Sequence, residues 1–237
     1  MANPLELLKS KVEEIEGLLG YAFSNKDLLI NSLVHRSYAN EHRDAILPHN
    51  ERLEFLGDSV LGLVVADYLF HRMPASAEGE LSQIRSRLVE STTCAKYFQK
   101  LKLQDFILLG RGEKLTEGRN KTSILADAFE AIVGAIYIDG GMEIAKAFIL
   151  CHFEEEASET IGSPPRNYKA ELQDYSQKKF QKVPVYKVML ESGPDHAKIF
   201  HVSVFLNDCE VGLGVGASKK EAEQRAAFEA ITQMGQP

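Results

Sequence analysis

Five carboxylates in two clusters are the residues best suited to chemistry: Glu51, Glu54 and Asp58 in the first, Asp127 and Glu130 in the second. At about 100° per residue the first three fall in one narrow sector of a helix, beside an apolar stripe marked by Leu53, Leu56, Val60, Leu61 and Val64. Acids at a helix start gain from the macrodipole, but that benefit fades within the first turn and does not account for carboxylates bordering a buried stripe. Asp127 and Glu130 interrupt the otherwise apolar run Ile124 to Ile138, which contains no Lys or Arg to neutralise them. Carboxylates at the edge of a core without basic partners predict a hard divalent cation bound by oxygen ligands, and Mg²⁺ fits best.

The elements that must position these acids follow from the pattern around them. Gly57 lies inside the apolar stripe, where a missing side chain predicts the close approach of another helix at a cost of roughly 1 kcal/mol in helix propensity. The helix that starts at Asn50 is expected to run to about Phe70, and the second acidic helix to end at Asp139-Gly140-Gly141. Upstream, Pro4 to Leu19 has helical spacing and is stopped by Gly20; Ser24 with Asp27 predicts the cap of a helix that His35-Arg36-Ser37-Tyr38 closes. His35, alone on a helix, is expected to be structural. A polar loop from Asn40 to Pro48 follows, and a turn from Pro74 to Gly79 leads to a helix from Leu81 with Glu78 at its entrance. Gly110 to Lys114 lacks P-loop spacing and predicts an exposed turn, and an amphipathic helix from Met142 to about Ala157 completes an all-helical domain.

The decapeptide Asn50 to Ser59 resembles the signature of the ribonuclease III family, and Asp127-Ala128-Phe129-Glu130-Ala131 resembles that family's second acidic motif. His35 to Tyr38 and Glu78-Gly79 agree in order and spacing. The resemblance implies a Mg²⁺-dependent endoribonuclease, with Mn²⁺ able to substitute, that cuts double-stranded RNA to 5′-phosphate and 3′-hydroxyl ends in the processing of precursors such as rRNA and mRNA. Glu54, Asp58, Asp127 and Glu130 would then be the catalytic, metal-binding acids, with Glu51 and Glu78 secondary. Cutting both strands needs two catalytic centres and one chain supplies one, so a symmetric homodimer is expected, as the resemblance also implies, with the apolar signature helix as a candidate interface.

Thr160 to Arg166, with Gly, Ser and two Pro, breaks the composition, so the expected organisation is a catalytic domain over 1–157, a linker over 158–166 and a second domain over 167–237. There, a helix from Asn167 to Lys179, strands over 184–190, 198–206 and 209–215 with two-residue alternation, and a helix from Ser218 to Met234 give α-β-β-β-α. The fold class is thus an all-α endonuclease domain followed by a small α+β domain. With Leu172-Gln173-Asp174, Gly193-Pro194-Asp195-His196 and Ser218 to Ala222, that order resembles the double-stranded-RNA-binding domain. Gln173, Gln177 and His196 are expected to meet 2′-hydroxyls or minor-groove edges. Ser218 and Glu221 predict a capping box that sets Lys219 and Lys220 beside free helix N–H groups, where they meet phosphates. Glu223 stands where many such domains carry a third basic residue, leaving that contact to Arg225 or Lys198.

Composition bounds the alternatives. In 237 residues, 44% hydrophobic, no 18-residue apolar run and no secretion signal is found, so a cytoplasmic protein without a membrane span is expected. Cys94, Cys151 and Cys209 are too few and too scattered for a disulfide framework or zinc site, and predict buried small residues. The net charge of −7 lies wholly in residues 1–157, which carry 17 Lys and Arg against 24 Asp and Glu; the remainder carries ten of each. Acidity around the metal site opposes RNA, so phosphate affinity must come from local basic clusters and bound metal. Gly212 to Gly216 does not continue into the strand that a dinucleotide fold needs. An RNA-binding protein with a silent nuclease domain would lack one of the four acids, and all are present; a helical nucleotide phosphohydrolase lacks its His-Asp pair here.

Overall fold

The computed structural model describes residues 3–42, 48–116, 118–162, 167–194 and 198–234, in two compact units that divide between Pro164 and Pro165. The first unit is helical: α1 (Pro4–Ser10), α2 (Val12–Leu19), α3 (Lys26–Ser32), α4 (Arg36–Glu41), α5 (Glu51–Arg72), α6 (Glu78–Leu88), α7 (Ser91–Leu101), α8 (Arg111–Leu115) and α9 (Thr122–Gly162). Its core gathers Ile15, Leu29, Leu61, Leu69, Tyr97, Phe98, Phe129 and Phe153 at 2% exposure or less, with α5 and α7 packed against α9.

Where α5 crosses α9 the backbones touch. A Cβ on Gly57 would overlap the Glu130 carbonyl and lie 2.9 Å from the Gly134 nitrogen; one on Gly134 would overlap the Leu53 carbonyl. The glycine read as a point of close approach is therefore matched by a second glycine. Val60, Leu61, Val64, Val65 and Leu69 are buried, Leu56 only half so. α9 changes direction at Gly141, whose φ of 82° favours glycine. Just before it, Asp139 accepts the Tyr21 hydroxyl and the backbone N–H groups of Ser24 and Asn25, each at 2.8 Å, tying the kink to the connector after α2.

Several local expectations change. Lys11 separates α1 from α2, and Asn25, not Ser24, caps α3 by accepting from the Asp27 N–H at 3.1 Å. His35 opens a helix instead of closing one. Gly110 to Lys114 is mostly helical as α8, α6 begins at Glu78 itself, and α9 continues past Ala157 to Gly162. Cys94 is buried, but Cys151 and Cys209 are exposed, because Cys151 lies on the outer face of α9 and Cys209 follows a hairpin turn. Part of the polar loop expected over 40–48 and the end of the expected linker fall outside the described residues.

The second unit contains α10 (Tyr168–Phe180), β1 (Val185–Ser192), β2 (Ile199–Leu206), β3 (Cys209–Gly216) and α11 (Lys219–Gln233). The sheet is antiparallel in the order β1-β2-β3. Asn207 and Asp208, both at positive φ, form the two-residue turn whose twist matches a hairpin. Gly212, Gly214 and Gly216 bring β3 against the backbone of α11, so a glycine pattern suggestive of nucleotide binding serves sheet-to-helix packing. Among the described residues no helix is long and apolar enough to cross a membrane.

Candidate active site

The α5–α9 crossing fixes the acids. Glu54 and Asp58 flank the turn that contains Gly57, and Glu130 offers its carbonyl to that glycine, so carboxylates from two helices border one cleft. Burial, then the fields of Asp58, Glu54 and Asp127, push the Glu130 carboxyl up to about 8; the neighbouring Cys94 thiol opposes the rise. Burial and the neighbouring acids also raise Glu54 and Asp127, with Arg36 partly opposing in both cases. The acids thus repel one another and are undercompensated by cations. Their donors are all hard oxygens, the set that Mg²⁺ prefers. Among the described residues no three acidic, His or Cys side chains form a ready-made metal cage. Glu78 stands apart: it is the exposed first residue of α6 and accepts from the Ser82 hydroxyl at 2.7 Å.

A cavity of about 720 Å³ opens beside Glu51, Glu54 and Asp127. The start of α4 lines it too, through His35, Arg36 and Ser37. His35 Nδ1 accepts from the Ser37 N–H at 3.2 Å and so caps that helix, while the His35 N–H donates to the Leu108 carbonyl at 3.1 Å. Burial holds the imidazole below its usual pKa, which keeps the capping nitrogen an acceptor. The Leu108 N–H donates to the Leu33 carbonyl at 2.8 Å, and the Asn50 N–H donates to the Val34 carbonyl at 2.9 Å. One short segment therefore joins α4, the chain before α8 and the start of α5. Arg36 reaches Glu51 at 3.0 Å, and Lys121 reaches Glu113 at 2.6 Å. The sequence reading missed both cations as site residues; only the position of Arg36 within the His35 to Tyr38 motif hinted at one.

In the second unit Gln173 and Gln177 are exposed one turn apart on α10. Ser218 Oγ accepts from the Glu221 N–H at 3.2 Å, but Glu221 reaches back to the Ala217 N–H, so the capping box is displaced by one residue. Lys219 and Lys220 are exposed at the start of α11, with Lys219 2.9 Å from Glu191. Glu223 pairs with Lys169 at 2.5 Å. Arg225, one of the two residues expected to compensate for Glu223, is held by Glu221 and the Val215 carbonyl, each at 2.6 Å. His196 lies outside the described residues.

A Ribonuclease-III-like family matches residues 25–155, and the Double-stranded RNA binding motif matches residues 168–234. The chain belongs to the ribonuclease III family. Ribonuclease 3 of Protochlamydia amoebophila is 50% identical over 99% of this chain and 97% of its own length. Ribonuclease 3 of Leptospira interrogans is 46% identical, covering 97% and 92%. The solved nuclease domain of ribonuclease III from Campylobacter jejuni is 46% identical and superposes with a TM-score of 0.57, over 61% of this chain and 96% of that one; its description refers to a region involved in dimer formation. The architecture is thus that of ribonuclease III: an all-α unit followed by a small α+β unit.

Proposed function

We propose that this chain, a double-stranded-RNA-specific endoribonuclease of the ribonuclease III type, cuts with Mg²⁺ held by Glu54, Asp58, Asp127 and Glu130. The observation that carries the reading is the backbone contact of Gly57 with the Glu130 carbonyl, which sets the acids of α5 and α9 beside one another; burial and three neighbouring acids raise the Glu130 carboxyl there, a concentration of negative charge that calls for a cation. Mg²⁺, or Mn²⁺ in its place, would lower the pKa of a bound water and neutralise charge on the leaving 3′ oxygen. The carboxylates orient that cation from two rigid helices, and Glu51 and Glu78 act as secondary acids. The products carry 5′-phosphate and 3′-hydroxyl ends, and structured precursors of rRNA and mRNA are the substrates.

Duplex recognition rests on shape. Gln173, Gln177 and His196 approach 2′-hydroxyls or minor-groove edges, and Lys219 and Lys220 approach phosphates. A homodimer supplies the second centre. Support comes from the side of α5 that faces away from the core, where Phe55, Leu63 and Phe70 are 77%, 57% and 67% exposed at spacings of eight and seven residues. We place the enzyme in the cytoplasm. The deciding experiment is cleavage of a long RNA duplex by the purified chain in Mg²⁺ and in EDTA, with end-group analysis. Intact duplex in Mg²⁺ would overturn the reading.

A further inference from the structure

The cavity beside the acids holds an arginine that the cleavage chemistry above does not use. Its lining includes Glu51, Glu54 and Asp127 together with Arg36, Lys121 and Glu113. An RNA strand reaching the acids must bring its phosphates past this group of carboxylates, which repels them. A cation at that place is needed. Lys121 is committed to Glu113 at 2.6 Å. Arg36 is different: its side chain is 64% exposed, and among the described residues its hydrogen bond runs only from Nη1 to Glu51 Oε1, at 3.0 Å. A guanidinium has five N–H donors in a planar fork that matches a phosphate, so most of its donor capacity is unused.

The root of this side chain is fixed although its tip is not. The neighbouring His35 N–H is bonded to the Leu108 carbonyl, and Ser37 Oγ accepts from the Gly110 N–H at 2.9 Å. The start of α4 is thereby tied to the chain before α8, and the guanidinium is delivered to the mouth of the cavity without ordering new backbone.

We infer that Arg36 is a substrate-binding residue, which leaves Glu51 when RNA enters and takes a phosphodiester of the bound strand beside the one that is cut. The inference rests on the duplex-cleaving function proposed above. Glu51 parks the arginine between turnovers and keeps it from settling on Glu54 or Asp127. A flanking phosphate is held alike in ground and transition states, so the contact acts on KM and not on kcat.

The test uses the full chain with Arg36→Ala and Arg36→Lys, their folding checked by thermal melting, on a short RNA duplex in saturating Mg²⁺. For Arg36→Ala we expect KM to rise about tenfold, as for one lost charge-assisted hydrogen bond, with kcat within about twofold. The slope of log(kcat/KM) against log salt should flatten by roughly 0.7 to 0.9. Arg36→Lys should recover part of the KM and all of the slope. An unchanged KM and slope in Arg36→Ala, while the wild type cleaves normally, overturns the assignment and leaves the nuclease reading intact. A fall in kcat at unchanged KM also overturns it, because Arg36 would then act through Glu51 on the acids. A wild type that binds duplex but never cleaves it overturns the nuclease reading, and this inference with it.

Discussion

Gly57 and Gly134 meet where α5 crosses α9, with the Gly134 nitrogen 2.9 Å from where a Gly57 side chain would begin. Neither glycine carries chemistry, yet their contact holds carboxylates of two helices beside one cleft. Gly57→Ala must push the helices apart against backbone atoms, and we expect a loss of about 3 kcal/mol, at the upper end of overpacking costs. Urea denaturation measures it. A variant that unfolds at the wild-type midpoint would show that the crossing can relax. If instead the variant folds but is weakened, its cleavage should fall more steeply than its stability.

Glu130→Gln keeps the side-chain size and removes its charge. Cleavage should fall by roughly 10²–10³-fold, the cost typical of losing one preorganised electrostatic group. Activity should partly return at high Mg²⁺ or with Mn²⁺, which tolerates a less regular coordination geometry better. Duplex binding should persist, as measured by gel shift, because Lys219 and Lys220 are untouched. Wild-type rates in sub-millimolar Mg²⁺ would remove Glu130 from the site.

Stability of the metal-free protein should depend on pH through the same residue. Burial and the adjacent acids raise the folded Glu130 carboxyl from 4.5 to about 8, and Glu54 and Asp127 shift in the same direction. Between those values the folded state holds more of these carboxyl protons than the unfolded chain, so their contribution to stability falls as pH rises from 4.5 to about 8 and levels off above, opposed near pH 6.5 by His35 and His152, whose lowered pKa values act the other way. Melting in EDTA should therefore occur at a higher temperature at pH 5.5 than at pH 8.5. Glu130→Gln should flatten the trend. A melting temperature that rises with pH across this window would contradict the electrostatics of the cleft.

Lys219→Ala combined with Lys220→Ala should weaken duplex binding and leave the chemistry alone. Each lost phosphate contact should flatten the salt slope of affinity by roughly 0.7 to 0.9. Lys219 rests on Glu191 in the free protein, so part of its contribution is offset by breaking that pair. An unchanged slope in a folded variant would put these lysines away from RNA.

Much of this was legible in the residues themselves. The acids announced themselves because carboxylates beside Leu53, Val60 and Leu61 violate the usual separation of charge from core, and Gly57 because a glycine inside an apolar stripe has a cost that only packing offsets. The strands of the second unit showed their two-residue alternation. What could not be read was set by contacts distant in sequence. His35 opens α4 because its N–H and Nδ1 find Leu108 and Ser37, and no periodicity over residues 24–41 encodes the partner at 108. Arg36 and Lys121 are 85 positions apart and share a cavity only after folding. Cys151 and Cys209 were misjudged as buried because a small side chain says little about which way its element faces.

The remaining cysteine makes the cleft self-reporting. Cys94 is fully buried on α7, donates to the Val89 carbonyl at 3.5 Å and adjoins Glu130. Burial drives its thiol pKa upward, so it stays protonated and shielded from alkylating reagents while α7 rests on α9. Cys151 and Cys209, both exposed, are open to such reagents in the native protein. A maleimide time course should thus show two prompt labels and a slow third, whose rate follows the transient parting of α7 from the floor of the acidic cleft. Filling the cleft with a divalent ion should slow that third label alone, which would let the breathing of the acidic cleft be timed in unmodified protein without any RNA present.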